Sequence, residues 1–256
     1  LMSAIAGISN SYSNYFLYGK IASGRRIQSA SDDAAGLAIS EKLTAQENGL
    51  NKGTDNAKSG QDLLNVSDGA LSQITDQLQR LRELGLQASN GLLTDSDKQN
   101  IQYEVDGLKQ GISDIADQTT FNTKHILNGE DTLNLATDSN GNGTSINTSN
   151  STLKALGIAD FDVTGDFSLD TIDKALEKVT SARAKGGAQY NALGNTISYN
   201  DYAAQNTASS NSRIEDLDMP KALTDLQKQN LLNTYKVFMQ RRASADAMNR
   251  NALLFR

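Results

Sequence analysis

Few residues in this 256-residue chain are of types that carry reaction chemistry. They include one histidine, His125, adjacent acidic pairs such as Asp32-Asp33 and Glu215-Asp216, and a glycine-rich turn, Gly141-Asn142-Gly143. A histidine can ligate zinc, but with no second histidine and no cysteine the usual zinc sets cannot be assembled. His125 lies among Thr and Asn residues and reads as a structural or incidental loop residue. Paired carboxylates do acid-base work only when they face each other, and sequence neighbours on a helix do not. The glycine turn has no P-loop lysine and no helix start behind it to cradle a phosphate. Asn142-Gly143-Thr144, Asn147-Thr148-Ser149 and Asn150-Ser151-Thr152 match the glycosylation sequon, but a polar Asn/Ser/Thr loop produces such matches freely, so it reads as solvated loop. No catalytic residue, cofactor or metal is expected, and the chain reads as non-enzymatic.

The composition favours thin, extended packing over a thick core. Hydrophobic residues make up 38%, aromatics only 5%, and there is a single proline, against about 5% proline in average chains. With the commonest helix breaker nearly absent, helices run long. The 24 basic and 30 acidic residues give a net charge of −6, a field that repels nucleic acid. No run of 18 apolar residues is present to span a membrane, and no membrane partner is expected. Ser and Asn interrupt the uncharged opening and no basic leader precedes it, so a cleaved signal peptide is not expected. The chain opens at Leu1 rather than Met, and native residues before it are expected.

Steps of seven from Leu43 give Leu43, Leu50, Ala57, Leu64, Leu71, Leu78 and Gly85, an almost unbroken apolar a-type row. The d-type row, Gln46, Gly53, Gly60, Ser67, Ile74, Leu81 and Ala88, is small or polar at first and bulky later. This spacing predicts one helix over about 37–90, roughly 80 Å long, with small residues letting helix axes approach closely. Gly91 is expected as its C-cap, and Thr94 with Asp95 and Asp97 as the N-cap and acidic first turn of a second helix. Ile101, Val105, Leu108, Ile112 and Ile115 give that helix a 4-3-4-3 stripe, so it folds back as an αα-hairpin. A loop is expected over 119–129. Beyond it, Leu133, Leu135, the Asn140–Gly143 turn, Ile146, and Phe161, Val163 and Phe167 read as short strands or a hairpin. Eight acidic residues against Lys154 over 130–173 suggest a solvated face there. From Ser168 the helical period returns through Ile172, Leu176, Val179, Leu193 and Ile214, and a last amphipathic helix restarts at Pro220. The fold class is mainly α, a long antiparallel helical bundle or coiled-coil hairpin with a short β-containing outer segment. Apolar faces at Ile5, Ile8, Tyr12, and at Tyr235, Phe238, Phe255 exceed what two terminal helices bury against each other, so the ends need further partners to stay ordered.

Ser23-Gly24-Arg25-Arg26-Ile27, followed by Asp32-Asp33-Ala34-Ala35-Gly36-Leu37-Ala38-Ile39-Ser40, resembles the N-terminal region of bacterial flagellin. The resemblance continues through Asp68-Gly69-Ala70-Leu71, Leu78-Gln79-Arg80-Leu81-Arg82-Glu83-Leu84, and Thr120-Phe121-Asn122-Thr123-Lys124, and returns at Ser212-Arg213-Ile214-Glu215-Asp216. It implies a hairpin-shaped, secreted subunit that polymerises with itself into the extracellular flagellar filament. On that plan 1–36 is an inner-core helix with its connecting loop and 37–129 the N-terminal part of the helical wall. Residues 130–167 form a short outer β/loop segment, 168–218 the C-terminal wall helix and 219–256 the C-terminal inner-core helix. The family is exported unfolded by a type III apparatus, which implies an export chaperone, filament cap and junction proteins as partners.

A Toll-like flagellin receptor of a host is a further implied partner, its family motif falling on Gln79, Arg80, Glu83, Leu84 and Glu104. Arg80 and Glu83 are expected at the edge and back of the apolar stripe, at g- and f-type positions, with Leu84 at an e-type position as an apolar anchor. The other reading of these residues is a solvated salt-bridging face with Leu84 in the bundle core. Alternatives of the same helical plan are a hook-filament junction protein and a coiled-coil adhesin. An enzyme carried on this scaffold finds no support, because no H-E-x-x-H is present.

Overall fold

The computed structural model describes residues 15–254. In chain order its elements are α1 (15–23), α2 (Ala30–Ala88), α3 (Asp95–Gln118), β1 (Thr120–Phe121), β2 (Lys124–His125), β3 (Thr132–Ala136), β4 (Gly143–Asn147), α4 (Leu153–Leu156), α5 (Asp170–Glu215) and α6 (Met219–Leu254). They form two compact units, one of residues Gln46–Gln205 and one joining Leu1–Ala45 to Asn206–Arg256.

Within 46–205 the seam of α2 is the core. Leu50, Ala57, Leu64, Leu71, Ile74, Leu78, Leu81 and Ala88 are all buried. Helix α3 returns antiparallel along one flank, stopped and restarted by a full capping box in which Thr94 Oγ1 accepts from Asp97 N–H and the Asp97 carboxylate from Thr94 N–H. The capping hydrogen bonds hold the Asp97 carboxyl below its ordinary range. Helix α5 runs antiparallel along the other flank, tied by Arg82 to Asp173 at 2.6 Å, Arg183 to Asp68 at 2.8 Å, and Gln61 to the Tyr190 carbonyl at 3.2 Å. A helix flanked on both sides has a wider apolar stripe than a and d alone. Leu63 and Leu84 occupy g-type positions, each one residue ahead of an a-type position at Leu64 or Gly85, and both are accordingly buried too.

The structure changes several local readings. Gly91 is not the C-cap of α2, since its φ is not positive; the last turn closes through Ser89 and Asn90 N–H to the Gly85 and Gln87 carbonyls. The expected loop over 119–129 holds a two-residue hairpin, Thr120 opposite His125 and Phe121 opposite Lys124. Its central residues Asn122 and Thr123 take φ of 47° and 67°, the positive values such a turn demands. His125 therefore sits on a strand, exposed. Strands β3 and β4 pair as expected, Leu133 opposite Ile146 and Leu135 opposite Thr144. No strand forms at Phe161, Val163 and Phe167; the segment is irregular, with Val163 N–H donating to Gln102 Oε1 and the Phe161 carbonyl accepting from Lys109 Nζ on α3.

The small half of the α2 seam faces this hairpin rather than a close-packed helix. A Cβ on Gly53 would lie 2.4 Å from the Thr137 carbonyl oxygen, and one on Gly60 would lie 2.5 Å from Leu135 Cδ1. Two amides fasten the contact, Asn56 Nδ2 donating to the Ala136 carbonyl at 2.7 Å and Asn200 Nδ2 to the Thr137 carbonyl at 2.8 Å. The solvated face expected for 130–173 is thus half of the picture. Its acidic side chains stay exposed, Asp138 alone being half-buried, while Ile146, Leu156, Ile158, Phe161 and Val163 are buried.

Leu78→Ala should cost about 2–5 kcal/mol of stability, because the side chain is fully buried. Gly53→Ala should be destabilising by about 1–3 kcal/mol against the Thr137 carbonyl, whereas Gly69→Ala, with open space around it, should stabilise by up to about 1 kcal/mol. Urea unfolding of the three variants checks the signs; equal behaviour at positions 53 and 69 would contradict the docking of the hairpin on α2.

Candidate functional site

In the unit formed by both chain ends, polar chemistry is concentrated where the 20–40 stretch meets residues 211–217. Gly24, at φ +70°, turns the chain out of α1. Arg25 then pairs with Asp216 in an antiparallel bridge, with Arg26 N–H donating to the Glu215 carbonyl at 2.6 Å and Leu217 N–H to the Gly24 carbonyl at 2.8 Å. Ile27 buries its side chain against Gly36, where a Cβ would come within 2.7 Å of Ile27 Cδ1.

The two acidic pairs close this joint. Asp33 interrupts α2 with an extended backbone, and its Oδ1 accepts from Gly36 N–H at 2.8 Å, so the continuous helix starts after it, earlier than the predicted 37. Asp32 accepts from the N–H groups of Gln28 and Ser29 and pairs with Lys20 at 2.8 Å. The Lys20 hydrogen bond, then that from Gln28, pulls its carboxyl down to about 2. Glu215 is buried, with one oxygen 2.9 Å from Arg25 Nη1 and the other accepting from Ser40 Oγ at 2.6 Å. Glu215 and Asp216 hold the chain's two ends together, while Asp32 and Asp33 cap the start of α2 within the N-terminal stretch, a role the sequence reading missed, although a Ser/Asp run ahead of an apolar helix is the ordinary mark of a cap.

The second group lies in the 46–205 unit. Arg80 reaches Glu104 of α3 through Nε at 2.8 Å and Nη2 at 2.7 Å, and Glu83 through Nη1 at 3.1 Å. All three are about half exposed or more, Gln79 is exposed beside them, and Glu104 is the chief cause of the raised Arg80 pKa. The structure thus brings Arg80, Glu83 and Glu104 into one cluster. Leu84 does not join it as an anchor. With Leu78 at a and Leu81 at d, Arg80, Glu83 and Leu84 fall at c, f and g, and Leu84 is 1% exposed because the g row is covered between two neighbours. Surface apolar side chains nearest in sequence are Leu86 and Leu92.

The third group is apolar. On α6, Leu231, Tyr235, Phe238 and Met248 are exposed, Tyr235 by 60% and Phe238 by 59%, and on α1 so are Tyr15 and Phe16. Ile5, Ile8, Tyr12 and Phe255 lie outside the described residues. Among the described residues no helix is long and apolar enough to cross a membrane, and no group of three His, Asp or Glu could hold a metal.

Long helices, a polar joint between the chain ends and bare apolar end helices define a helical structural protein shaped for association. Residues 3–132 match the bacterial flagellin N-terminal helical region and residues 169–249 the C-terminal helical region. The chain is 37% identical over 222 residues to the flagellin of Halalkalibacterium halodurans, spanning 84% of this chain and 82% of that protein. It is 34% identical over 257 residues to the flagellar filament 31.3 kDa core protein of Treponema maltophilum, spanning 92% and 90%. A solved flagellar hook-associated protein from Vibrio parahaemolyticus matches 72% of this chain and all of that one with a TM-score of 0.61, but at 14% identity it shows the fold alone. The chain belongs to the bacterial flagellin family. It is a structural subunit of the flagellar filament, and the junction-protein and adhesin alternatives are not favoured.

The Asp32 pKa fixes a pH dependence. A carboxyl depressed in the folded state below its ordinary value of 3.8 stabilises fully above that value and loses its contribution as pH falls through about 2. Asp32→Asn should therefore lower stability at neutral pH, with the difference from the parent shrinking below pH about 4 and vanishing near pH 2. Urea midpoints measured across that range test it; a pH-independent difference would mean that Asp32 acts without its charge.

Proposed function

We propose that this subunit polymerises by burying the apolar faces of its end helices between copies. The carrying observation is the exposure of Tyr235 and Phe238 together with Leu231 and Met248 on a 36-residue helix. A single amphipathic helix is marginal in water, and an exposed apolar patch of this kind marks an association surface. Tyr15 and Phe16 put a second such face at the other end of the chain. The family plan extends this reading to Ile5, Ile8, Tyr12 and Phe255, to passage unfolded through the flagellar export apparatus, and to a place outside the cell. Before assembly the same α6 face suits an export chaperone, and at the filament ends the cap and junction proteins.

The Arg80, Glu83 and Glu104 cluster supports a second reading, contact with a Toll-like flagellin receptor. Among the described residues its charges pair only with one another and stay half exposed, so a partner can replace one ion pair with another. Its energy in the free chain is small. Arg80 is the central residue, because it alone holds both acids.

Tyr235→Asp combined with Phe238→Asp should leave a folded helical monomer and abolish sedimentable filaments; filaments of parental mass would overturn the polymer-core reading. Arg80→Asp should weaken receptor binding of the monomer at least tenfold, the change expected when a paired charge is reversed. Binding equal to the parent's, with an unchanged melting temperature, would make the cluster plain solvated surface.

A further inference from the structure

We infer that Asn142 is a site of spontaneous deamidation, and that its conversion releases the β3–β4 hairpin from the long helices. The chain holds five Asn-Gly pairs, at Asn48, Asn90, Asn128, Asn140 and Asn142. In such a pair the glycine nitrogen attacks the Asn Cγ, a new N–Cγ bond forms, and the bond from Cγ to the asparagine Nδ2 breaks with loss of ammonia. The resulting five-membered succinimide then adds water at one of its two carbonyls, giving aspartate or isoaspartate. No redox partner is needed.

The structure ranks the five pairs. Asn48 and Gly49 lie inside α2, where the helical ladder holds the Gly49 N–H. Asn90 Oδ1 accepts from Leu92 N–H. Asn140 Nδ2 donates to Asp138 Oδ2, and the nucleophile of that pair, Gly141 N–H, is held by the Asp138 carbonyl at 3.1 Å. Asn128 is clamped by its neighbours, the Leu127 carbonyl accepting from Ser151 N–H and the Gly129 carbonyl from Thr148 Oγ1. Asn142 is exposed and has a glycine on each side, the most compliant backbone available to any of the five. Thr137 and Asp138 N–H both donate to the Asn142 carbonyl. Across the trans peptide the Gly143 N–H points the opposite way from that carbonyl, away from β3.

The fold also prevents escape from the reactive pair. Gly141 sits at φ +83°, and a Cβ on Gly143 would lie 1.6 Å from the Leu135 carbonyl oxygen. Glycine at 143 is compulsory, so only a change of Asn142 itself removes the chemistry. The consequence follows from the Asn142 carbonyl, which accepts from both Thr137 and Asp138 N–H at 3.0 and 2.8 Å. Isoaspartate inserts one more carbon into the backbone there and shifts that carbonyl. Thr137 is the residue docked on Gly53 and held by Asn200, so the loss of its turn loosens the hairpin at its point of attachment.

The test is to age the whole folded protein in mildly alkaline buffer, with a urea-unfolded sample alongside. Asparagine conversion is followed by peptide mass spectrometry, with fragmentation to separate Asn140 from Asn142. In the folded protein Asn142 should convert several-fold faster than the other four, with isoaspartate as a product, while unfolding should bring the five rates together. Aged parent should show faster deuterium exchange at Thr137 and Asp138, and aged Asn142→Gln should not, because glutamine forms the larger ring slowly. A folded sample in which any other pair converts first, or an aged parent with unchanged exchange at those amides, would overturn the inference.

Discussion

A helix with apolar residues along both flanks of its seam cannot be satisfied by a single neighbour, and α2 is such a helix. Its a, d and g positions must all leave water at once, which demands α3 on one side, α5 on the other and a further element wherever the seam is too small to fill the gap. The bulky half, Ile74 to Leu84, is met by α3, the 158–169 segment and the start of α5. The small half, Gly49 to Gly60, leaves a trough that a helix of ordinary side chains does not fill, and a two-stranded ribbon with its turn lies in it, backbone against Gly49 and Gly53 and the Leu135 side chain against Gly60. Isolated hairpins are marginal in water. This one is stable because α2 and α5 supply its missing face and two amide donors.

The polar joint near residues 20–40 and 211–217 solves a different problem. Two chain ends far apart in sequence lose much entropy on meeting, and a thin helical contact has little area to offset it. Here backbone bridging, the buried Glu215 held by Arg25 and Ser40, and the two caps at Asp32 and Asp33 supply directional bonds where apolar area is scarce. Burying a carboxylate is favourable only when both its oxygens are occupied, and Glu215 meets that condition. The joint thus sets where α1 ends and α6 begins while leaving their apolar faces unused, which is the arrangement a polymerising subunit needs.

What sequence periodicity reveals is the face of an element that leaves water. That was enough for the α2 seam, while local residue signals were enough for the N-cap at Thr94, the hairpin around Asn140–Gly143 and the flagellin motifs on either side of it. It was not enough for Leu84, whose flank is covered only because two helices sit beside α2, a fact no spacing within α2 contains. The same limit applies to Gly53 and Gly60. A glycine reads alike whether a helix or a carbonyl approaches it, so close helix packing and a docked hairpin give one pattern.

Asp32-Asp33 and Glu215-Asp216 mark the boundary most sharply. Local chemistry determined only the cap signal, a Ser/Asp run ahead of an apolar helix, because capping is set within a few residues. The tertiary structure alone decided that Glu215 would be buried against Arg25, 190 positions away, since ion pairing and burial depend on distances in space that the chain sets only by folding.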